Sequence, residues 1–284
     1  MIRLAVFGAG GKMGTRISLK LRNHPGYQLY LVETNEKAKE RVLARGQRLS
    51  SAPEAAENAD VVILAVPDVK LGAAASDIVP LLRPGALLML LDPAAAYYGQ
   101  VPIRQGIGYF VAHPCHPPVF NDETDPDAKK DYFGGLNAKQ SVVCALLNGE
   151  ESDYALGERI ARDIFSPILR THRITVEQMT MLEPALIETI AAPVVLLLRE
   201  AMDEAVRRGV PYEAARDFML GHINIELAIA FGEAGNPFSD AAMVAIDYGR
   251  KHFLNDNWKT LFDRDSLTDQ VGTMLKPGCL RSQA

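Results

Sequence analysis

The chain has 284 residues, 48% hydrophobic and 23% charged, with a formal net charge of -5. That balance suits a globular protein with a substantial core and excludes a disordered chain. The negative charge gives neither nucleic acid nor an anionic membrane surface anything to attract.

Cys115, Cys144 and Cys279 are odd in number and form no CxxC pair, so no disulfide framework is expected. The opening stretch already reads as a strand running into a glycine turn, with no secretory h-region. No uninterrupted apolar run approaches the roughly 20 residues of a membrane span. The expectation is a cytoplasmic protein with no membrane partner.

In chain order, residues 2–7 form a short apolar run that stops at glycines, as a buried parallel strand does. Helix is expected over 12–23, strand over 27–32 and a charged helix over 36–45. A second buried strand, Asp60-Val-Val-Ile-Leu-Ala-Val, ends at Pro67. Helix near 71–82 and strand 86–91 follow, the latter ending at Asp92-Pro93. Strands over 108–112 and 140–147 bracket a proline-rich piece from 113 to 137, and a last strand lies near 168–173. Strands alternating with helices predict an α/β Rossmann domain, a doubly wound parallel sheet covered on both faces, over residues 1–174.

Thr175-Val-Glu-Gln178 reads as a capping box opening a helix that continues to Arg208. Pro184 and Pro193 predict breaks or kinks in it. Three further helical segments, near 212–234, 239–251 and 266–275, make residues 175–284 an all-helical substrate and dimerisation domain. Its long apolar segments exceed what so small a domain buries alone, which predicts a homodimer.

Gly8-Ala-Gly-Gly-Lys-Met-Gly14 lies between the first strand and the first helix. Glycines there permit a tight turn and close approach of backbone amides to a pyrophosphate. Gly8, Gly10, Gly11, Lys12, Met13 and Gly14 are therefore the expected phosphate cradle. Glu33 follows the second strand, where an acidic side chain accepts ribose hydroxyls and repels a 2'-phosphate. No arginine occurs in Thr34-Asn35-Glu36, so the cofactor read from the sequence is NAD. Pro67 and Asp68, ending the next strand, are expected against the adenosine side or the linking phosphates.

The stretch Ala112-His-Pro-Cys-His-Pro-Pro-Val-Phe-Asn-Asp-Glu123 leaves a strand end, where ligands bind in such sheets. Two histidines held there by prolines suggest proton transfer or metal binding. The long helix carries Glu183 and Glu188, carboxylates that are costly among apolar residues unless paired or used. Five residues apart on an α-helix, they diverge by about 140°. Only one of the two then faces a given centre, and a histidine, His113 or His116, with one glutamate and with water and substrate oxygens in the remaining positions makes a reasonable divalent site. His222, Asn224 and Glu226 read as packing or interface groups, the alternative being that His222 and Glu226, which share a helix face, reach the substrate from a partner subunit.

The first 175 residues resemble the 6-phosphogluconate and β-hydroxyacid dehydrogenase superfamily, and the His113-Pro114 corner resembles that of prephenate dehydrogenases, where the histidine meets the hydroxyl being oxidised. Hydroxyacid dehydrogenases place a lysine near the start of the interdomain helix, whereas this chain has none between Lys139 and Lys251. The segments VAHPCHPPVFNDE, TVEQMTMLEPALIET, EAMDEAVRRGVP and LGHINIELAIAFGE resemble the D-apionate oxidoisomerase family. The resemblance implies NAD-linked oxidation of a branched sugar acid at its 2-hydroxyl, followed by a ketol shift to 3-oxo-isoapionate. A divalent ion serves such a shift by polarising the ketone and ionising the tertiary hydroxyl, so the resemblance implies a metal held by His113 or His116 with Glu183, and His113 and Glu188 as catalytic groups. Two other readings compete. One is a metal-free NAD(P)-dependent hydroxyacid dehydrogenase with His113 as base. The other is a non-catalytic NAD-binding regulator, which has no need of the histidines and carboxylates.

Overall fold

The computed structural model describes residues 1–276. The chain forms two compact units, Met1–Leu182 together with the chain from Thr268, and Glu183–Leu267. The last strand ends at Arg173, and the boundary between the units falls inside the helix that follows.

The first unit runs β1 (Ile2–Phe7), α1 (Lys12–Leu21), β2 (Tyr27–Val32), α2 (Glu36–Ala44), α3 (Ala52–Asn58), β3 (Val61–Leu64), α4 (Asp68–Ile78), β4 (Leu87–Leu90), α5 (Ala94–Tyr97), β5 (Gly108–Pro114), β6 (Gln140–Asn148), α6 (Glu151–Ile164) and β7 (Ile168–Arg173). One seven-stranded sheet has the order β2-β1-β3-β4-β5-β6-β7. Strand order reverses at β1, which lies between β2 and β3. Open α/β sheets bind ligands at the carboxyl ends of the strands beside such a reversal.

Alternate residues feed two cores. Leu4, Val6, Ile63 and Met89 pack with Ile17, Val42 and Ile160 on one face. Ala5, Phe7, Leu64 and Leu88 pack with Ala55, Leu71 and Ala95 on the other. Each fully buried side chain of the Leu, Ile or Phe kind contributes about 1.5–3 kcal/mol. Double coverage explains why β3, β4 and residues 4–7 of β1 are unbroken apolar runs rather than alternating ones.

Two strands, β6 and β7, depart from the expected parallel sheet by running against the other five. β6 runs antiparallel to β5, with Pro114 opposite Val142, and β7 then runs parallel to β6. The reason is the connection. Residues 115–139, all described, hold no crossover helix, so the chain re-enters the sheet at the edge it left, which only an antiparallel strand permits. Helices α3 and α6 also lie where no helix was read from the sequence. Ser51 and Glu54 form a capping box that starts α3.

Thr175 and Gln178 form the expected capping box, and one helix continues from Val176 to Arg207. Neither proline breaks it. Residues Met181–Ala191, including Pro184, adopt π-helix between α7 (Val176–Thr180) and α8 (Ala192–Arg207). An α-helix has no room for the proline ring against the carbonyl four residues back, and a wider turn relieves that clash. Pro193 sits in the first turn of α8, where proline is tolerated. The wider turn also changes the carboxylate geometry. Hydrogen bonds join i to i+5 in a π-helix, so Glu183 and Glu188 share a face instead of diverging.

The continuous helix corrects a further expectation. An 18-residue window within it has mean hydropathy 1.8, long and apolar enough by length and composition to cross a membrane, and 11% of that window is buried. Charged residues such as Glu183 and Glu188 interrupt the apolar run in the sequence but not the helix.

The second unit continues with α9 (Tyr212–Ala230) and α10 (Asp240–Phe253). α8 buries Met202, α9 buries Ala215, and α10 buries none of its described residues. The last helix, α11 (Arg264–Met274), returns to the first unit, where Val271 and Leu275 pack on Ala94 of α5.

Candidate active site

β1 delivers the chain to Gly8, whose φ of +84° places it in the left-handed region. Gly10 lies against α2, where a Cβ would collide with the Ala38 carbonyl. Gly11 caps the N-terminus of α1 and Lys12 opens it. Met13 is half-buried and Gly14 buried in that first turn.

Charged side chains brace this turn from outside. Glu33 accepts the Gly10 amide at 2.9 Å with one oxygen, and the Thr34 and Asn35 amides at 2.9 and 3.0 Å with the other. The Arg41 guanidinium donates to the Gly10 carbonyl at 3.0 Å, and Arg45 donates to the Ala9 carbonyl at 3.2 Å. Gly8, Gly11, Glu33, Arg41, Pro67 and Lys70 are among the walls of a cavity of about 640 Å³. Asp68 is the first residue of α4, where a carboxylate complements the helix amides.

Further along the same sheet edge, β4 and β5 end side by side. Leu91 and Asp92 follow β4, and His113 is the penultimate residue of β5. His113 Nδ1 lies 2.8 Å from the Leu91 carbonyl. A carbonyl only accepts, so Nδ1 carries the proton and Nε2 presents its lone pair. Burial pushes the His113 pKa down; the nearby Asp92 charge and the Leu91 bond oppose this, and His116 adds to it. At neutral pH the ring is an uncharged base or ligand.

Asp92, His113 and Glu183 each offer one ligand atom, and these atoms lie within 4.8 Å of one another. Two carboxylate oxygens and one imidazole nitrogen form a donor set suited to a divalent cation. The bond from Nδ1 to a backbone carbonyl is the outer contact that orients ligating histidines. The donor set and its orientation therefore fit a metal ion.

His116 stands apart from that group. Its ring centroid is 6.4 Å from that of His113, and its Nδ1 donates to the Phe133 carbonyl at 3.0 Å. It is also a non-glycine residue at φ +61°. The loop it starts is held internally. Asp131 accepts the amides of Leu136 and Asn137 at 3.0 Å, and Glu123 accepts that of Lys139 at 2.8 Å. The Lys12 ammonium sits 3.4 Å from the centroid of the Phe133 ring. Cys144 is a core residue whose thiol is pushed up to about 12 by burial, which leaves it inert. In the second unit, Glu188 is exposed on the π-helical stretch. His222 and Glu226 line a groove of about 470 Å³ along α8 and α9, and Asn224 is exposed.

Comparison with known proteins agrees with this arrangement. Residues 3–94 match the NAD binding domain of 6-phosphogluconate dehydrogenase, and residues 121–275 match the C-terminal domain of decarboxylating phosphogluconate dehydrogenase. A D-apionate oxidoisomerase of Cupriavidus necator is 50% identical over 270 residues, 95% of this chain and 98% of that one. Its counterpart in Blautia hydrogenotrophica is 38% identical over 279 residues, 97% of each chain. The chain belongs to the D-apionate oxidoisomerase family.

It is thus an NAD-dependent oxidoreductase with a Rossmann domain. A crystal structure from Cupriavidus necator, described as a semialdehyde dehydrogenase NAD-binding protein in complex with calcium and NAD, superposes with a TM-score of 0.94 at 49% identity. It covers 96% of this chain and 99% of its own. An NADH-preferring ketol-acid reductoisomerase shares the fold at a TM-score of 0.68 and 16% identity, covering 96% of this chain and 82% of its own.

Sequence reasoning overlooked two features of this family member. Asp92, not His116, joins His113 and Glu183; the signal was an aspartate closing an apolar strand beside the strand that ends in His113. Arg41 was missed because it lies beyond the residues that directly follow Glu33, although α2 carries later residues back to the turn.

Proposed function

We propose that the chain oxidises the 2-hydroxyl of D-apionate with NAD and couples that oxidation to a ketol rearrangement yielding 3-oxo-isoapionate. The observation that carries this reading is the group of Asp92, His113 and Glu183, of which Asp92 and His113 lie at the ends of β4 and β5, in the sheet whose first strand runs into the glycine turn. The names and extent of the relatives support the substrate.

Oxidation at C2 removes a hydride and the hydroxyl proton, leaving a 2-oxo acid beside a tertiary alcohol. A hydroxymethyl group then shifts from C3 to C2, and the tertiary hydroxyl becomes the new ketone. NAD on the glycine turn supplies the hydride acceptor. A divalent cation held by Asp92, His113 Nε2 and Glu183 supplies the Lewis acidity that both stages need. The Leu91 carbonyl fixes the His113 tautomer, and Asp92 and Glu183 bring the negative charge that makes a cation site of the corner. Glu188, on the same π-helical face as Glu183, is the acid/base that moves the substrate proton. The NADH assay on D-apionate and simple 2-hydroxy acids, with and without chelator, tests this reading. NADH and a rearranged carbon skeleton by NMR are expected with D-apionate, lost to chelator and restored by a divalent cation. Full turnover by metal-free enzyme would instead favour a plain dehydrogenase with neutral His113 as base, a reading its lowered pKa supports.

We also propose that the second unit is covered by a second copy of the chain in a cytoplasmic homodimer. Val195, Leu196, Phe218, Phe231, Val244 and Tyr248 are all more than 60% exposed in the single chain. An apolar surface of that extent marks an interface, and a helix bearing Glu183 and Glu188 suits a protein partner better than lipid. A monomer in detergent-free light scattering at micromolar concentration would overturn this.

A further inference from the structure

Glu33 is not the only charged group in the cofactor cavity. Arg41 and Lys70 line it as well, with Asp77 as the other carboxylate. The two cations balance the two anions. Loss of the Glu33 charge alone would leave the cavity net positive, the sign that receives a phosphate carrying close to two negative charges.

Geometry singles out Arg41. Glu33 accepts the Gly10 amide, and Arg41 donates to the carbonyl of the same residue. The carboxylate and the guanidinium are thus anchored to one glycine. Arg41 is solvent-exposed, and its bonds to the Gly10 carbonyl come from Nε and Nη2, so Nη1 keeps donors for a ligand. Guanidinium groups bind phosphate through paired donors.

We propose that Arg41, assisted by Lys70, is a built receptor for the 2'-phosphate of NADP that the charge of Glu33 keeps closed. Glu33 selects NAD by repulsion at a site otherwise ready for the phosphorylated cofactor. The inference rests on the reading of this cavity as the dinucleotide site and is independent of the sugar-acid substrate.

Calorimetric titration of the full chain with NAD and with NADP, without substrate, tests it. Glu33→Gln removes the charge and keeps one of the two acceptor oxygens, enough for the Gly10 amide or for the Thr34 and Asn35 amides, so its NAD affinity is measured alongside to register any change in the turn. The substitution should tighten NADP by about tenfold or more, since like charges in contact cost at least that much, and the gain should shrink as salt rises. Glu33→Asp keeps the charge and should gain nothing. Adding Arg41→Met to Glu33→Gln should return NADP affinity to within about threefold of the unaltered chain, at the scale of one charge-assisted contact. Unchanged NADP affinity in Glu33→Gln, an equal gain in Glu33→Asp, or a gain that survives Arg41→Met would each overturn the proposal while NAD binding stands. Failure of the unaltered chain to bind NAD would overturn the cofactor reading and this inference with it.

Discussion

At the glycine turn the binding surface is backbone, and its shape depends on side chains that are missing. Gly8 and Gly10 pass where a Cβ would strike neighbouring carbonyls, and Glu33 and Arg41 clamp the peptide groups from behind. At the His113 corner the surface is made of side chains. Asp92, His113 and Glu183 converge there, and the backbone contributes the Leu91 carbonyl that aims the imidazole. A site built of amides is damaged by added atoms, and a site built of side chains by removed ones. The same edge of one sheet should therefore respond in opposite ways to truncation and to enlargement.

Truncation at the corner should have the largest effect. His113→Ala or Asp92→Ala should each lower turnover by about a thousandfold or more, the scale of losing a group that acts on the reacting atoms. Both should leave the NAD dissociation constant within about threefold, because the turn and its clamps are untouched. Single-turnover rates and calorimetry on the same preparations separate the two quantities. Loss of NAD binding in either variant would show that corner and turn are one structural unit and end the contrast.

Enlargement at the turn comes next. Gly10→Val places a branched side chain against the Ala38 backbone, which α2 holds in place. NAD binding should weaken by about a hundredfold, or roughly 2.7 kcal/mol, while the chain stays folded by circular dichroism. A variant that binds NAD normally would show that the turn yields and that its shape is not what the cofactor reads.

The contrast also accounts for what the sequence made legible. Glycines bounded by an apolar strand and a helix are local, and so is an acid at the end of the next strand; the turn and Glu33 follow from adjacency. The corner depends on residues distant in the chain. His113 announced itself through its prolines, but Asp92 is a lone aspartate whose partner is set by the pairing of β4 with β5. Strand direction is equally hidden. The composition of β6 suits either orientation, and only the missing crossover helix made it antiparallel. The π-helical turn at Pro184 was invisible for another reason. A proline signals that an α-helix is disturbed, without saying whether it breaks, kinks or widens, and that choice decided whether Glu183 and Glu188 share a face.

The smallest expected effect belongs to His116, and it sharpens the boundary of the corner. Its imidazole is turned to the Phe133 carbonyl, and its backbone is held at φ +61°, a conformation that costs a non-glycine residue about 1 kcal/mol or more. Two substitutions separate the side chain from the backbone. His116→Ala removes the imidazole and keeps the strain, whereas His116→Gly removes both. If His116 only starts the loop, His116→Ala should lower kcat less than about tenfold, the value of one neutral hydrogen bond and some loop order. His116→Gly should melt at or above the temperature of His116→Ala, because glycine adopts the left-handed backbone freely, a gain partly offset by its flexible unfolded state. A ligand would behave otherwise. Both variants would then fall as far as His113→Ala, and excess divalent cation would partly restore them. Kinetics of the three variants with the cation titrated therefore decide whether the corner holds one imidazole or two.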